Sequence, residues 1–225
     1  MPLDAVFFDL DGTLTDSKVG ITRSIQYAMI KMERAAPAAH ELYSYIGPPL
    51  RGTFADLLGS SDDDVLDRAV AFYRERFGTV GLFENELYPS IREVLAAVRS
   101  LGCSTYVVTS KPVGFAKRIV EHFELSRLFE GVYGSQLDGS QTDKAELIAH
   151  ALREENLAAS RVVMVGDRGH DMAGARSCGV YPVGVSYGYG TEDELRKHGA
   201  AAIADSPGSI PPLIRSRVGG ETLRQ

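Results

Sequence analysis

The chain of 225 residues is long enough for one large domain or for a core with a second, smaller domain, and its 44% hydrophobic and 24% charged residues are typical of a soluble globular protein. Its formal net charge of −6, without a basic run, argues against binding to a nucleic acid polymer. No apolar run reaches the length of a membrane span and the N-terminus lacks a signal-peptide pattern, so we expect a cytoplasmic protein without a membrane partner.

The first predicted element is a buried strand of a parallel sheet. It corresponds to the apolar run AVFFDL over residues 5–10, and we expect it to end at Gly12. Asp9 and Asp11 should project together from its carboxyl end, because residues i and i+2 of a strand point the same way. Two carboxylates this close repel each other unless they share a proton, bind a cation or play different parts in a reaction.

Helical patterns without a convincing strand follow this run. Apolar residues at helical spacing predict helices over residues 18–34 and 63–77, with the Gly/Pro break SYIGPPLRGTF between them. We therefore predict a small all-helical domain over residues 15–85, inserted after the first strand, and a core domain made of residues 1–14 and 86–225.

Strands and helices alternate after the helical block, which is typical of a parallel sheet with helices on both faces. The predicted fold class is therefore α/β, a doubly wound, Rossmann-like parallel sheet with an inserted helical domain. The predicted elements are a helix over 91–101, the strand STYVVTS, a helix that begins near Pro112, a helix over 143–155, the strand VVMVGD, a short helix near 171–178, the strand YPVGV and a weaker strand AAAIA.

Polar side chains cluster where the predicted strands end, which is where open parallel sheets bind their ligands. Several carboxylates without a Cys or His cluster form an oxygen-rich site that suits Mg²⁺. A hydroxyl, a lysine and helix N-termini beside them suit a phosphoryl group, with one carboxylate as nucleophile and another as proton carrier. The residues concerned are Asp9, Asp11, Thr109, Ser110, Lys144, Asp167 and Asp171.

Four segments in order, DLDGTLTDS, VVTSK, Lys144 and VGDRGHD, resemble the four motifs of the haloacid-dehalogenase superfamily of phosphatases. Within it, the chain resembles the branch of phosphoglycolate phosphatases and bacterial 5′-nucleotidases, which has a helical cap inserted just after the first motif. The resemblance therefore implies that residues 15–85 form the helical cap and that residues 1–14 and 86–225 form the Rossmann-like catalytic core. The segments IGPPL and GVSYGYGTEDEL also resemble this branch. The resemblance implies a Mg²⁺-dependent phosphatase that hydrolyses a small phosphomonoester, phosphoglycolate or a nucleoside 5′-monophosphate, through an aspartyl-phosphate intermediate. It also implies a small phosphorylated metabolite as partner; we expect a monomer or a homodimer.

The resemblance also implies a role for each residue of the reaction site. Asp9 would be the nucleophile and Asp11 the general acid and base. Thr109 and Lys144 would bind the phosphoryl oxygens, together with Ser110, which stands where many relatives have Asn.

For the metal, the resemblance implies Asp9, the backbone carbonyl of Asp11 and Asp167 as ligands, with Asp171 in support through water. Asp171 has a structural alternative as the cap of the following helix. Arg51 is a possible contact for a substrate anion, and an exposed surface arginine is the alternative.

Other functions stay open at this point. A phosphomutase or another hydrolase of the superfamily would use the same nucleophile. A dehalogenase would need neither Mg²⁺ nor a second aspartate as proton carrier, and a phospho-accepting signalling module would be shorter and lack the inserted domain.

Lys111 could contact a substrate or lie exposed before Pro112. Gly188 and Gly190 are expected in a flexible loop with only a weak phosphate signal. Cys103 and Cys178 fit no metal-ligand spacing; we interpret them as buried thiols, although a disulfide is not ruled out.

Overall fold

The computed structural model describes residues 3–137 and 141–218. The chain forms two compact units. We call the first the core unit, which comprises Met1–Leu14 and Leu87–Gln225, and the second the helical unit, which comprises Thr15–Glu86.

The secondary structure of the described residues alternates as the sequence predicts. The strands are β1 Ala5–Phe8, β2 Thr15–Asp16, β3 Glu86–Leu87, β4 Ser104–Pro112, β5 Gly131–Ser135, β6 Val162–Gly166, β7 Tyr181–Val185 and β8 Ala202–Ala204. The α-helices are α1 Lys18–Lys31, α2 Leu50–Leu58, α3 Asp63–Phe77, α4 Ile91–Ser100, α5 Val113–His122, α6 Lys144–Glu154, α7 Gly169–Ser177, α8 Glu192–Lys197 and α9 Ile210–Val218.

The core unit is built on a six-stranded sheet in the order β5-β4-β1-β6-β7-β8, and all of its neighbouring strands pair in parallel. The predicted α/β fold with a parallel sheet is therefore confirmed. Phe7 of β1 lies opposite Tyr106 of β4 on one side and Met164 of β6 on the other. This order places the carboxyl ends of β1, β4 and β6 side by side, which positions the site described below.

The strand β1 is buried on both faces, and all four of its residues are inaccessible to solvent. Such a strand must be apolar throughout, because helices cover the sheet on either side. On one face, Phe7 packs edge-to-face on Tyr106 with ring centroids 5.6 Å apart, together with Leu147 and Ile148 of α6. On the other face, the ring of Phe8 lies 6.5 Å from that of Phe129.

The helical unit is held together by α1 and α3. The helix α1 also approaches the short segment after α3 very closely, since a Cβ on Gly20 would lie 1.9 Å from the Gly81 carbonyl oxygen. The carboxylate of Glu84 adds ion pairs at 2.7 Å with Arg76 and Arg23. The hydrogen-bonded Arg76 guanidinium is the main reason that the pKa of Glu84 is lowered.

The first strand is shorter than predicted. It ends at Phe8 and not at Gly12, because the N–H groups of Thr13 and Leu14 both turn back to the Leu10 carbonyl oxygen, at 3.3 and 2.9 Å. Gly12 has a φ of +82° in this turn, a conformation that favours glycine. Asp9 and Asp11 therefore lie in the loop after the strand.

Several elements of the structure were not predicted. The helix α2 begins after Pro49, inside the segment interpreted as a break, and β5, α8 and α9 have no counterpart among the predicted elements. Cys103 and Cys178 form no disulfide. Cys103 is buried as expected, but Cys178 is only half-buried, so the interpretation of both as buried thiols is wrong for Cys178. Among the helices that the structure describes, none is long and apolar enough to cross a membrane.

Candidate active site

Side chains from three neighbouring strand ends meet at the carboxyl edge of the core sheet. Asp9 follows β1, and its backbone N–H extends the pairing to β6 by donating to the Val165 carbonyl oxygen at 2.9 Å. Thr109 belongs to β4 and Asp167 directly follows β6; these two residues and Asp9 are all at most 5% exposed. The sheet order therefore places two buried carboxylates and a hydroxyl at one edge.

Lys144, the first residue of α6, supplies a buried positive charge to this edge. Its Nζ lies 3.1 Å from Asp9 Oδ1 and 2.8 Å from Asp171 Oδ1, and it donates a hydrogen bond to the Val108 carbonyl oxygen at 3.1 Å. Burial alone would lower the pKa of Lys144, but the two carboxylates outweigh it and raise that pKa above its ordinary value. Lys144 therefore stays an ammonium group that orients the Asp9 carboxylate.

Asp171 has the capping role that the sequence analysis gave as its structural alternative, and it also pairs with Lys144. Its Oδ2 accepts a hydrogen bond from the Arg168 N–H at 3.1 Å, which caps α7, while its Oδ1 pairs with Lys144. Burial would raise the pKa of Asp171, but Lys144 and then His170 outweigh this and lower it. His170, which the sequence analysis did not single out, lies with its Nε2 3.7 Å from Asp171 Oδ1.

The segment 186–190, which we call the glycine loop, encloses Asp167. The Tyr189 N–H donates to Asp167 Oδ2 at 2.8 Å. A Cβ on Gly188 would lie 2.4 Å from the Asp167 Cβ, and one on Gly190 would lie 2.0 Å from the Asp167 carbonyl oxygen. The loop therefore needs glycine at both positions in order to approach Asp167. The two glycines on either side of Tyr189 are the feature of the sequence that could have indicated this close approach.

Tyr187 fixes the glycine loop to the turn that follows β1. Its hydroxyl donates to the Thr13 carbonyl oxygen at 2.8 Å, and its ring lies edge-to-face on Tyr88 at 4.9 Å. Burial raises the pKa of Tyr187, so its hydroxyl keeps the proton that it donates. On the same turn, the Thr13 hydroxyl lies 3.5 Å from Asp167 Oδ1.

Asp11 is paired with Lys111, whose position the sequence left open. The Lys111 Nζ lies 2.9 Å from Asp11 Oδ2, and the two side chains are 6% and 12% exposed. The other oxygen, Asp11 Oδ1, is buried and accepts no hydrogen bond from the residues that the structure describes. Lys111 is thus a second buried cation of this edge, and it is not the exposed residue of the alternative interpretation.

Two of the predicted site residues make other contacts. The Ser110 hydroxyl donates to the Thr142 carbonyl oxygen at 3.2 Å, which ties β4 to the segment before α6. Arg51 belongs to the helical unit, where its guanidinium is paired with Asp63 and Asp67 on α3. Any contact of either side chain with a substrate remains a prediction.

The donor set fits a hard divalent cation. Four carboxylates, of which Asp11 is the most exposed, face two ammonium groups, so the cluster has a formal charge of −2 that one Mg²⁺ would neutralise. Burial raises the pKa of both Asp9 and Asp167, because it outweighs the opposing effects of Lys144 on Asp9 and of the Tyr189 N–H on Asp167. Asp9, His170 and Asp171 also place possible metal-ligand atoms close together. However, Lys144 already pairs with the carboxylates of Asp9 and Asp171.

Comparison with known proteins supports the fold and finds related hydrolases and phosphatases. A family model described as haloacid dehalogenase-like hydrolase matches residues 6–185. A 5′-nucleotidase of Pseudomonas aeruginosa is 48% identical over 86% of this chain and 87% of its own. The tyrosine-protein kinase PtkA of Mycobacterium tuberculosis is 38% identical over 85% of this chain and 65% of its own. The crystal structure of a predicted phosphatase from Clostridium acetobutylicum superposes with a TM-score of 0.92, at 36% identity, over 96% of this chain and 100% of that one.

Proposed function

The chain belongs to the haloacid dehalogenase-like hydrolase family and is a phosphatase, and we propose that it hydrolyses a small phosphomonoester with Mg²⁺ through an aspartyl-phosphate intermediate. The observation that carries this proposal is the buried carboxylate of Asp9, which Lys144 orients at 3.1 Å. An oriented carboxylate beside a cationic group is suited to attack phosphorus, because the charge of the incoming phosphate is compensated.

The reaction has two half-reactions. In the first, the Asp9 carboxylate attacks phosphorus, the bond from phosphorus to the leaving oxygen breaks, and Asp11 protonates that oxygen. In the second, a water attacks the phosphorus of the aspartyl-phosphate and gives its proton to Asp11. The bond from phosphorus to the Asp9 oxygen breaks, so Asp9 is regenerated and inorganic phosphate is released. Thr109 and Lys144 would donate hydrogen bonds to the phosphoryl oxygens.

The proposed metal ligands are the carboxylates of Asp9 and Asp167 and the backbone carbonyl of Asp11, with Asp171 in support. When bound, Mg²⁺ would offset the negative charge that these carboxylates and the phosphoryl group bring together. The glycine loop would keep Asp167 in place, since Tyr189 already holds one of its carboxylate oxygens.

The test of the nucleophile is Asp9→Asn, a nearly isosteric change. We expect it to lower kcat for nucleoside 5′-monophosphates and for p-nitrophenyl phosphate by roughly 10⁴-fold, because an amide cannot attack phosphorus. The matched control is Asp4→Asn, since Asp4 precedes the same strand and pairs with Arg161 at 2.5 Å, at the opposite edge of the sheet. Acid quenching of the wild-type reaction, followed by mass spectrometry, should find one phosphoryl group on the peptide that carries Asp9. Appreciable turnover by Asp9→Asn would exclude this mechanism.

The proposed substrate class is a nucleoside 5′-monophosphate, with phosphoglycolate as the alternative. The support is the 48% identity to a protein named 5′-nucleotidase. A panel of phosphorylated metabolites, compared by kcat/KM with Mg²⁺ and with EDTA, tests both the substrate and the metal. A higher kcat/KM for phosphoglycolate would favour the alternative, for which Arg51 of the helical unit is the candidate contact.

The similarity to PtkA adds a second candidate, in which a tyrosine hydroxyl receives the phosphoryl group. The two functions differ in the acceptor, so they are separated by what becomes phosphorylated. Hydrolysis should release inorganic phosphate without a protein acceptor. Transfer of a labelled phosphoryl group from ATP to a tyrosine, in this chain or in an added protein, would instead support the second candidate.

A further inference from the structure

We propose that Lys111 is a positioning residue of this reaction, which holds Asp11 by one carboxylate oxygen so that the other, Oδ1, carries the proton to and from the reacting groups. The inference rests on the proposed phosphatase mechanism. It concerns a residue of the VVTSK segment to which the family resemblance assigns no role.

The position of Lys111 depends on a bulge in β4. Thr109 pairs with Gly134 of β5 and Pro112 pairs with the next residue, Ser135, so the register of the parallel ladder shifts between Thr109 and Pro112. A bulge of this kind redirects side chains at the end of a strand. Here it brings the Lys111 Nζ to 2.9 Å from Asp11 Oδ2.

The neighbouring strand is shaped to accept this bulge. A Cβ on Gly134 would lie 2.5 Å from the Lys111 carbonyl oxygen and 3.0 Å from the Val113 Cα, so the close approach requires glycine. The Ser135 hydroxyl donates to the Ser110 carbonyl oxygen at 2.8 Å, and the Lys111 N–H donates to the Thr109 hydroxyl at 3.2 Å. These bonds fix the backbone of Lys111, which limits the positions of its side chain.

The two oxygens of Asp11 are consequently unequal. Oδ2 is paired with Lys111, whereas the buried Oδ1 accepts no hydrogen bond within the described ranges 3–137 and 141–218. In the first half-reaction, Oδ1 would give its proton to the leaving oxygen as the bond to phosphorus breaks. In the second, it would receive a proton from the attacking water. Lys111 neither gains nor loses a proton in either step.

The first test compares substrates that differ in their need for a proton on the leaving group. We expect Lys111→Met to lower kcat for an alkyl phosphomonoester about 10- to 100-fold more than kcat for p-nitrophenyl phosphate, whose leaving group needs little protonation. Lys111→Arg should restore most of the difference, since a guanidinium can also pair with Oδ2. The exposed Lys117→Met is the matched control and should leave both values unchanged. Equal losses for the two substrates would overturn the proposal.

The second test is a double-mutant cycle with Asp11→Asn. If Lys111 acts through Asp11, Lys111→Met should add no further substrate discrimination in the Asp11→Asn background, whereas an independent role would add its full effect. Mg²⁺ affinity, measured by calorimetry on Lys111→Met, should stay within about threefold of wild type, because the proposed role is not metal binding. Independent effects in the cycle would overturn the proposal.

Two further results keep the inference separate from the mechanism on which it rests. If Asp9→Asn is as active as wild type, the mechanism fails, whatever Lys111→Met does. If Lys111→Met does not fold, Gly134→Ala takes its place, since its Cβ must displace the Lys111 backbone and should produce the same selective loss with alkyl substrates. A folded Gly134→Ala with wild-type discrimination would count against the proposal.

Discussion

The glycine loop leads to a prediction that separates the metal site from the rest of the fold. In Gly188→Ala, the new methyl group would lie 2.3 Å from the Gly12 carbonyl oxygen, 2.4 Å from the Asp167 Cβ and 2.7 Å from its Oδ2. Ordinary contacts of a Cβ begin near 3.4 Å, so the loop and Asp167 must separate by about 1 Å. We therefore expect this variant to weaken the binding of Mg²⁺ while it leaves the sheet intact.

The size of the effect follows from the hydrogen bond that would be lost. The Tyr189 N–H lies 2.8 Å from Asp167 Oδ2, and a separation larger by about 1 Å no longer forms a hydrogen bond. A hydrogen bond to a charged group contributes about 1.5–3 kcal/mol, and overpacking costs a similar amount. We expect the free energy of unfolding in EDTA to fall by about 1–3 kcal/mol and the Mg²⁺ affinity by about 10- to 100-fold.

Calorimetric titration with Mg²⁺ and urea denaturation in EDTA measure the two quantities. Gly208→Ala is the matched control, because it lies in the same unit and its Cβ would meet nothing within 4 Å. It should change neither value appreciably. A folded Gly188→Ala with wild-type Mg²⁺ affinity would refute the reasoning that the loop positions Asp167 for the metal.

Two further predictions concern the charges of the site. Lys144→Met should lower the free energy of unfolding by about 3–5 kcal/mol in urea denaturation, because it leaves the buried carboxylates of Asp9 and Asp171 without their cation; a loss no larger than that of the exposed Lys117→Met would contradict this. Because burial raises the pKa of Asp9 and Asp167 above 3.8, the folded protein without metal holds protons that the unfolded chain has released. Their contribution to stability should therefore fall as the pH rises above 3.8, and the increase in Tm on addition of Mg²⁺ should be larger at pH 7.5 than at pH 5; equal increases would argue against it.

The parts of the fold that the sequence predicted are those with a repeating burial pattern. The helix predicted over 63–77 is observed at Asp63–Phe77, because its apolar residues return at helical spacing to one buried face. The strand VVMVGD is observed at Val162–Gly166 because an uninterrupted apolar run suits a strand with both faces covered. Asp9 and Asp167 could be placed together because parallel strands end at the same edge of a sheet.

The parts that the sequence missed depend on contacts between distant segments. The strand β5 has the sequence GVYGS, and its glycines serve the close approach to β4 instead of any β-pattern of its own. The Lys111–Asp11 pair joins a bulge to a loop, and neither position lies on a periodic face. The role of the glycine loop likewise depends on how near it comes to Asp167, a distance that no local pattern encodes.

The place of β1 between β4 and β6 also affects the order in which the chain can fold during its synthesis. The strand is made before both of its partners, which begin only at residues 104 and 162. The helical unit, Thr15–Glu86, is contiguous and is complete before either partner is made. Until β4 and β6 have both been made, β1 is an apolar strand with at least one open edge, and such strands are prone to associate with other chains. The nascent chain should therefore depend on chaperones most strongly before residue 162 emerges.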